Sequence, residues 1–373
     1  MFEEKIRRLS EWAMGGKAPP YLIDINPTDK CNLKCLTCWQ RSKKFKSIDS
    51  SYELSDDKLI SVVKEALDFG VKEFEITGGG EPLVRKEATL KIMRIIKDFG
   101  KPGNITTNGT LFDEDVIKLL VKIGWDRVTF SIDGPNPEIN DYLRGKGSFE
   151  KIVQNIKILN RVKKSFKKKK PSTKFNVVVS RKNYNVLDGI VKLAHSLGCE
   201  MISFEPMTVH SSIGMKLSLR KSETKELRDS VRRIERLANE LGIITNIQNF
   251  IFDELMMKPR HLKFLKQSSS AYDGFASSLC FEPWWHLVIK VDGSAQPCCL
   301  FDSKEENVKD KSLREIWFGK FFNDIRENMT KKKFSGFCLV CNAGQVAENI
   351  KIREEFEIMK NNYHFFEKGT SMF

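Results

Sequence analysis

The sequence lacks any run of apolar residues long enough to cross a membrane, for which a helix needs roughly 18 or more in succession. Its first residues, MFEEKIRRLSEWAMGG, are partly acidic where a secretory signal peptide is basic and then apolar. No internal repeat is present beyond an alternation of strand and helix patterns, and no low-complexity tract except one lysine run. These absences disfavour membrane, secreted and solenoid proteins and predict a cytoplasmic chain.

Nine cysteines, an odd number, occur in a chain of 373 residues without an export signal. A disulfide framework is therefore disfavoured, and metal or thiol chemistry is preferred. Hydrophobic residues make up 40% of the chain and charged residues 30%, which is enough apolar material for a sizeable core and too much for a disordered chain. The length favours one large domain and a smaller one.

Positive charge is in excess, because 63 Lys and Arg residues against 49 Asp and Glu give a net charge of +14. Half of the excess lies in one stretch without an acidic residue, made of Arg161, Lys163, Lys164 and Lys167 to Lys170. The stretch falls between a predicted helix and the next strand, at the end of a βα barrel opposite an active site. We expect a solvated loop, with docking to an anionic membrane surface or an electron donor as the alternative. Nucleic acid is not favoured as a partner, because no basic groove with interleaved aromatic residues is evident.

From Tyr21 to Met207, short β-rich runs alternate with amphipathic segments of helical period, as in the βα units of a parallel sheet or barrel. Six strands are predicted, in YLIDINP, KEFEITG, NITTNG, RVTFSIDG, KFNVVVS and MISFEPM. Between them, one predicted helix has Ser55 as its N-cap and Gly70 as its stop, and another spans Asp113 to Gly124. A long charged amphipathic helix, from Ser222 to Gly242, follows the sixth strand.

A second domain is predicted to begin near Cys280, where WWHLVIKVDGSAQPCC indicates two strands joined by a turn at Asp292 and Gly293. We therefore predict an α/β fold, a partial (β/α)6 TIM-like barrel with a small C-terminal α+β domain. The predicted parts are an N-terminal helical extension, the barrel, a connecting segment, the small domain and a C-terminal helical tail, at residues 1–20, 21–245, 246–279, 280–345 and 346–373. The connecting segment is rich in Phe, Leu and Met, which fits either an apolar substrate pocket or ordinary domain packing.

The most specific pattern is Cys31, Cys35 and Cys38, spaced C-x3-C-x2-C just after the first strand. Three thiolates at this spacing can bind three irons of a [4Fe–4S] cluster and leave the fourth iron open. An open coordination position is typical of a reactive metal site and not of a closed structural one. The alternative is a structural zinc site or free thiols.

One βα unit after these cysteines comes the sequence GGEP, with Gly79, Gly80 and Glu81 at the end of the second strand. With the cysteine motif it resembles the radical S-adenosylmethionine (SAM) superfamily over Tyr21 to about Gly242. The resemblance implies that the cysteine-bound [4Fe–4S] cluster binds SAM, that the glycines approach its methionyl group and that Glu81 accepts a hydrogen bond from its ammonium group.

Further SAM contacts are implied by the same resemblance at the ends of the third and fourth strands, from Asn108, Ser131 and Asp133. Arg144 is similar to the basic residue that pairs with the SAM carboxylate in this family, and a surface ion pair is the alternative. The chain departs from the family at Thr37, where an aromatic residue often precedes the third cysteine.

A second group of cysteines consists of Cys280, Cys298, Cys299, Cys338 and Cys341. The sequences WW, VDG and PCC occur in its first part, and it ends in a C-x2-C motif. This pattern resembles the SPASM/twitch domains that hold auxiliary clusters in radical SAM enzymes. The resemblance implies one auxiliary [4Fe–4S] cluster in the small iron–sulfur domain, for which we select Cys280, Cys298, Cys338 and Cys341. Cys299 stays open as a replacement for Cys298, and a zinc knuckle as a replacement for the cluster. Cys199 has no partner nearby in sequence and is predicted to be a small buried residue.

The resemblance implies a radical SAM oxidoreductase or crosslinking enzyme that cleaves SAM reductively to a 5′-deoxyadenosyl radical and takes hydrogen from an unactivated carbon. Peptide maturation, dehydrogenation of a carbinol and joining of lipid chains all fit, so the substrate is a peptide, a small molecule or a lipid. The absence of a separate leader-binding domain at the N-terminus counts slightly against a peptide. A reductant such as ferredoxin or flavodoxin is expected. The alternatives are a non-enzymatic iron–sulfur electron-transfer or scaffold protein and an RNA-modifying enzyme.

Overall fold

The computed structural model describes residues 2–42, 50–251, 275, 278, 280–333, 338, 341 and 348–359. Within these ranges, one sheet is formed by β1 Leu22–Ile25, β2 Glu73–Ile76, β3 Gly103–Thr107, β4 Arg127–Ser131, β5 Ser172–Val179, β6 Met201–Pro206, β7 Ile244–Thr245, β8 His286–Ile289 and β9 Ala295–Gln296. Strands β1 to β6 lie at the six predicted positions.

Helices alternate with the strands of the first part of the chain and then dominate the C-terminal part. They are α1 Phe2–Ala13, α2 Asp56–Phe69, α3 Lys86–Asp98, α4 Glu114–Ile123, α5 Pro137–Arg144, α6 Ser148–Ser165, α7 Leu187–Ser196, α8 Ser212–Leu217, α9 Lys221–Glu240, α10 Glu282–Trp285, α11 Leu313–Phe318 and α12 Lys320–Thr330. Residues 348–359 are also helical. Of the predicted connecting segment and tail, residues 252–274 and 360–373 lie outside the described residues.

The predicted helix ends are confirmed by their hydrogen bonds. The Ser55 side chain accepts a hydrogen bond from the Lys58 amide at 3.2 Å and so begins α2. The helix stops at Gly70, whose φ of 94° is left-handed and whose amide donates to the last turn. Asp113 begins α4 in the same way, by accepting from the Val116 amide at 3.0 Å.

The strand order is β7-β6-β5-β4-β3-β2-β1-β8-β9, and neighbouring strands are parallel except β8 and β9. The sheet is unclosed, with β7 and β9 at its edges. This is a partial TIM-like α/β fold, as predicted. The predicted hairpin is also present as β8 and β9, but β8 pairs with β1 and so extends the barrel sheet.

The main hydrophobic core lies between one face of this sheet and the surrounding helices, and its fully buried side chains include Ile23, Phe74, Phe130 and Phe175. A second core joins the two ends of the chain, because Leu9 of α1 packs in the same cluster as Phe281 and Phe356. The N-terminal helix is therefore attached to the C-terminal part of the molecule.

The lysine run forms the end of α6 and the exposed turn that leads to the N-terminal end of β5. The ammonium group of Lys170 pairs there with Asp126 Oδ1 at 2.5 Å. In a parallel sheet this end lies opposite the strand ends that carry the cysteine motif, so the run lies on the far side of the sheet from that motif. Docking of a partner to the run stays a prediction. No described helix is long and apolar enough to span a membrane.

Candidate functional site: a cysteine loop above the sheet

The loop after β1 carries the first three cysteines and is fixed by hydrogen bonds to its neighbours. Gln40 Nε2 donates to the carbonyl oxygen of Asp29 at 2.7 Å and to that of Gly79 at 2.9 Å. The Tyr52 hydroxyl donates to Asp29 Oδ2 at 2.8 Å. These bonds tie together the residues before and after the cysteines and the loop after β2, so the position of the thiols is set by the fold.

Gly79 and Gly80 allow the loop after β2 to lie directly against the cysteine loop. A Cβ atom on Gly79 would stand 1.6 Å from Asp29 Oδ1, and one on Gly80 would stand 2.0 Å from the Lys30 carbonyl oxygen. The Glu81 amide donates to that same carbonyl oxygen at 2.8 Å. Only glycine permits this close approach. The approach of these glycines to the methionyl group of SAM stays a prediction.

Glu81 joins the end of β2 to the end of β3, a role that the sequence reasoning missed. The residue is 2% exposed. Its Oε1 atom accepts hydrogen bonds from the Thr107 hydroxyl at 2.7 Å and from the Leu83 amide at 3.2 Å. Its Oε2 atom accepts a hydrogen bond from the Asn108 amide at 2.6 Å. Burial raises the pKa of Glu81, and these three donors oppose the increase. The side-chain amide of Asn108 in turn lies 3.8 Å from Cys31 Sγ. Glu81 and Asn108 both lie beside the cysteine loop. Their contacts with SAM stay predictions.

Asp133 and Arg144 form a buried ion pair at the end of β4. Arg144 Nε stands 2.8 Å from Asp133 Oδ2, an ion-pair contact without hydrogen-bond geometry, and Asp133 Oδ1 accepts from the Val178 amide at 2.8 Å. Arg144 Nη1 is 4.0 Å from Cys35 Sγ, and the Cys35 thiol donates to the Arg144 carbonyl at 3.6 Å. Arg144 is thus an interior cation beside a cysteine of the motif. Ser131, the remaining predicted contact, is half-buried at the end of the same strand.

The thiols of Cys31, Cys35 and Cys38 are half-buried and close enough to affect one another's ionisation. Burial raises the pKa of Cys35 to about 11, the Arg144 guanidinium lowers it, and negative charge on Cys38 and Cys31 raises it further. Thiolates held together in this way need a positively charged partner, which iron supplies. The three residues therefore fit the cluster predicted from their spacing.

The second group of cysteines is also brought together. The pKa of Cys280 is raised by burial, then by Glu282, Cys341 and Cys298, and the pKa of Cys298 is raised to about 11 by burial, Glu282 and Cys338. The Glu282 amide donates to Cys280 Sγ at 3.4 Å, an N–H to sulfur bond that suits a ligating thiolate.

Cys298 and Cys299 point to different surroundings. Apart from Cys298, the charges that act most on Cys299 belong to Glu282, Asp24 and Lys290. Its pKa is raised, chiefly by desolvation. This arrangement supports Cys298 as the ligand. Cys199, as predicted, is buried in the core, 3% exposed.

The cysteine sets fit a cluster better than single zinc ions. Among the residues that the structure describes, no three His, Cys, Asp or Glu side chains are close enough to hold one metal ion. A cubane places each thiolate on a separate iron, so its ligands stand farther apart than those of a mononuclear site.

Comparison with known families agrees with this geometry. Residues 25–194 match the radical SAM superfamily, and residues 280–342 match SPASM, an iron–sulfur cluster-binding domain. The chain belongs to the radical SAM superfamily. Its cofactors are SAM and [4Fe–4S] clusters, and the zinc and free-thiol alternatives are set aside.

Named relatives of this radical SAM protein differ among themselves. A probable GTP 3',8-cyclase of Saccharolobus islandicus is 25% identical over 84% of this chain and 92% of its own length. An AdoMet-dependent heme synthase of Methanosarcina barkeri is 25% identical over 90% of this chain and 92% of its own length.

Solved structures share the fold. Streptococcus suis SuiB bound to the precursor peptide SuiA has a TM-score of 0.62 at 18% identity, over 83% of this chain and 67% of its own. Native anSMEcpe with bound AdoMet and the Cp18Cys peptide has a TM-score of 0.60 at 20% identity, over 92% and 98%.

The inner face of the sheet, opposite the main core, is polar and charged. Side chains alternate along a strand, so the neighbours of the core residues Ile23, Phe74 and Phe175 point to the other side. The charged residues of this inner face are Asp24, Glu73, Glu75, Arg127, Lys174, Glu205 and His286. Glu75 on β2 is affected by Lys174 on β5 and His286 on β8, strands that are not its neighbours, so the sheet curves around a shared space.

The interior of a closed TIM barrel is filled by branched apolar side chains, and this radical SAM domain departs from that rule. The signal was present in the sequence, because Glu73 and Glu75 alternate with apolar residues within one predicted strand, as do Lys174 and Asn176. What the sequence did not reveal is which side of the strand faces the helices.

Proposed function

We propose that this radical SAM enzyme acts on a peptide and oxidises or crosslinks it at an unactivated carbon. The observation that carries the proposal is the charged inner face beneath the cysteine loop. A hydrocarbon chain placed there would separate Glu75 and Lys174 from water without giving them hydrogen bonds, which is costly. The inner face therefore argues against the joining of lipid chains.

The same face argues against GTP as the substrate, although probable GTP cyclases are among the relatives. Carboxylates outnumber cationic groups there, with Asp24, Glu73, Glu75 and Glu205 against Arg127 and Lys174, while His286 already pairs with Glu282. A triphosphate would meet more repulsion than attraction, and so would the backbone of RNA.

A peptide supplies what such a surface can bind, namely amide donors and acceptors and charged side chains of either sign. Two structures of the same fold, SuiB and anSMEcpe, contain peptides, which supports the proposal. For these reasons a peptide suits the inner face better than a hydrocarbon or a nucleotide.

The roles of this chain's residues follow from their positions. Cys31, Cys35 and Cys38 would hold the SAM-binding cluster, and Cys280, Cys298, Cys338 and Cys341 a single auxiliary cluster. When bound, SAM and its cluster supply the hydrogen-abstracting radical. The buried Arg144 would orient the SAM carboxylate, and the inner face would position the substrate and exclude water. A ferredoxin or flavodoxin would deliver electrons.

The test is to supply reconstituted enzyme, SAM and a reductant with a pooled peptide library, with GTP and with phospholipid vesicles in separate reactions. We expect only the peptide pool to raise 5′-deoxyadenosine formation and to yield a product lighter by two hydrogen atoms. Modification of GTP or of the lipid, with an unmodified peptide pool, would refute the proposal.

A further inference from the structure

Two carboxylates stand side by side on the inner face, close to the strand ends. Asp24 on β1 and Glu75 on β2 are directly paired in the sheet register. Asp24 Oδ1 accepts hydrogen bonds from the Thr77 hydroxyl at 2.6 Å and the Asn26 side chain at 3.3 Å. The Thr77 amide is a further donor to Asp24, whereas the Glu75 carboxylate has no hydrogen-bond donor among the described residues. Burial raises the pKa of both acids.

A third side chain of the inner face lies on β8, where His286 pairs with Leu22 and therefore stands two residues nearer the N-terminal strand ends than Asp24. His286 has a side chain that is 9% exposed; its Nδ1 is 2.7 Å from Glu282 Oε2, and its Nε2 is buried without a hydrogen-bond partner. Asp24 and Glu75 are both among the charges that act on His286. A buried ring nitrogen of this kind requires a partner, and the described residues do not provide one.

The cationic groups nearby do not neutralise the pair. His286 acts through space on both carboxylates, Lys290 acts on Asp24, and Lys174 and Arg127 act on Glu75. None of these groups stands within 4.0 Å of either carboxylate in an ion pair among the described residues. Lys174 is shared with Glu205, which lies on β6. Two neighbouring carboxylates thus remain without a contacting cation in the part of the chain that the structure describes.

We propose that Asp24 and Glu75 bind a positively charged group of the substrate, a lysine or arginine side chain of the peptide, and that His286 Nε2, which lies deeper on the same face, hydrogen-bonds to that side chain. The proposal deepens the proposed function, because it rests on a peptide substrate and names its charge. A cation between the two carboxylates would supply the missing donors and favour their ionised forms.

The experiment measures binding to the holoenzyme at saturating SAM by calorimetry. The probes are capped pentapeptides that differ only in a central Lys, norleucine or Glu, together with agmatine, a guanidinium compound without a peptide bond. We expect the Lys peptide to bind about tenfold more tightly than the norleucine peptide, since a hydrogen-bonded charge pair is worth at least that factor. The Glu peptide should bind most weakly.

The following variants test which residues cause the preference for the Lys peptide. Glu75→Gln keeps the size of the side chain and should abolish the preference for Lys over norleucine, and Asp24→Asn should reduce it. Glu87→Gln, the same chemical change at an exposed position of α3, should retain it. Iron content and circular dichroism check that each variant is folded, and Glu75→Asp, which keeps the charge, should retain part of the preference.

Two outcomes would overturn the inference: equal binding of the three peptides by the folded holoenzyme, or a tenfold loss of SAM affinity in Glu75→Gln, which would make SAM itself the bound cation. Glu75-dependent agmatine binding without any peptide modification would leave the cation site standing and refute its assignment to a peptide, together with the proposed function. Peptide modification without a charge preference would support the proposed function and refute the inference.

Discussion

At the scale of single residues, we expect Glu81 to stabilise the folded protein even when SAM is not bound. Glu81→Ala would leave the Thr107 hydroxyl and the amides of Leu83 and Asn108 without their acceptor inside the protein. Unsatisfied buried donors cost about 1–3 kcal/mol, so we expect a loss of that size in the free energy of unfolding without SAM. Denaturant unfolding of the SAM-free protein measures it, and unchanged stability with weakened SAM binding would show a ligand role alone.

Arg144 is expected to be less tolerant of substitution than an exposed arginine. Arg144→Ala would leave Asp133, which is 0% exposed, as a buried charge without its partner. Such a loss costs about 3–5 kcal/mol, and the double variant Asp133→Asn with Arg144→Ala should recover part of it because the orphaned charge is removed. Unfolding curves of the three variants provide the check. Additive effects of the two substitutions would contradict the coupling.

The site residues that belong to a sequence motif could be predicted, whereas those that only the fold brings together could not. Cys31, Cys35 and Cys38 lie within eight residues of one another, so their spacing alone indicated the cluster. Glu75 and His286 are separated by more than half of the chain and meet only because β8 lies beside β1. No local pattern contains that pairing.

At the scale of elements, the lysine loop after α6 is expected to be dispensable for chemistry. Replacing Lys167, Lys168 and Lys169 with alanine, while keeping Lys170 for its ion pair with Asp126, should leave SAM cleavage without substrate unchanged. The reason is that the loop precedes β5, at the end opposite the cysteine loop. Measured 5′-deoxyadenosine formation would contradict this placement if it collapsed in a folded variant.

Elements with local signals were predicted well. The caps at Ser55 and Asp113 and the stop at Gly70 depend on the nearest few residues, which the sequence displays directly. The hairpin at Asp292 and Gly293 was also correct. Its attachment to β1 was not foreseen, because strand pairing over such a distance depends on the whole chain.

At the scale of the whole molecule, the two cysteine groups should load independently. Reconstituted protein should hold roughly eight irons, and changing Cys31, Cys35 and Cys38 to alanine should leave about four. Changing Cys338 and Cys341 should also leave about four and preserve slow SAM cleavage while abolishing product. Iron analysis and product assays test this, and normal product formation without the second cluster would reduce its cysteines to a structural role.

The continuous sheet predicts joint unfolding of the two parts. Strand β8 is hydrogen-bonded to β1, and among the described residues both hydrophobic cores contain side chains from the barrel and from the C-terminal part. Calorimetry of the holoenzyme should show one transition, and two well-separated transitions would contradict it.

The partner of β1 has a consequence for how the protein is made. During synthesis, Leu22 to Ile25 leave the ribosome long before His286 to Ile289, the strand that completes their pairing. Until then one edge of β1 is unprotected, and such edges invite wrong pairing and aggregation. The cluster-binding loop therefore follows a strand that stays unfinished for most of translation.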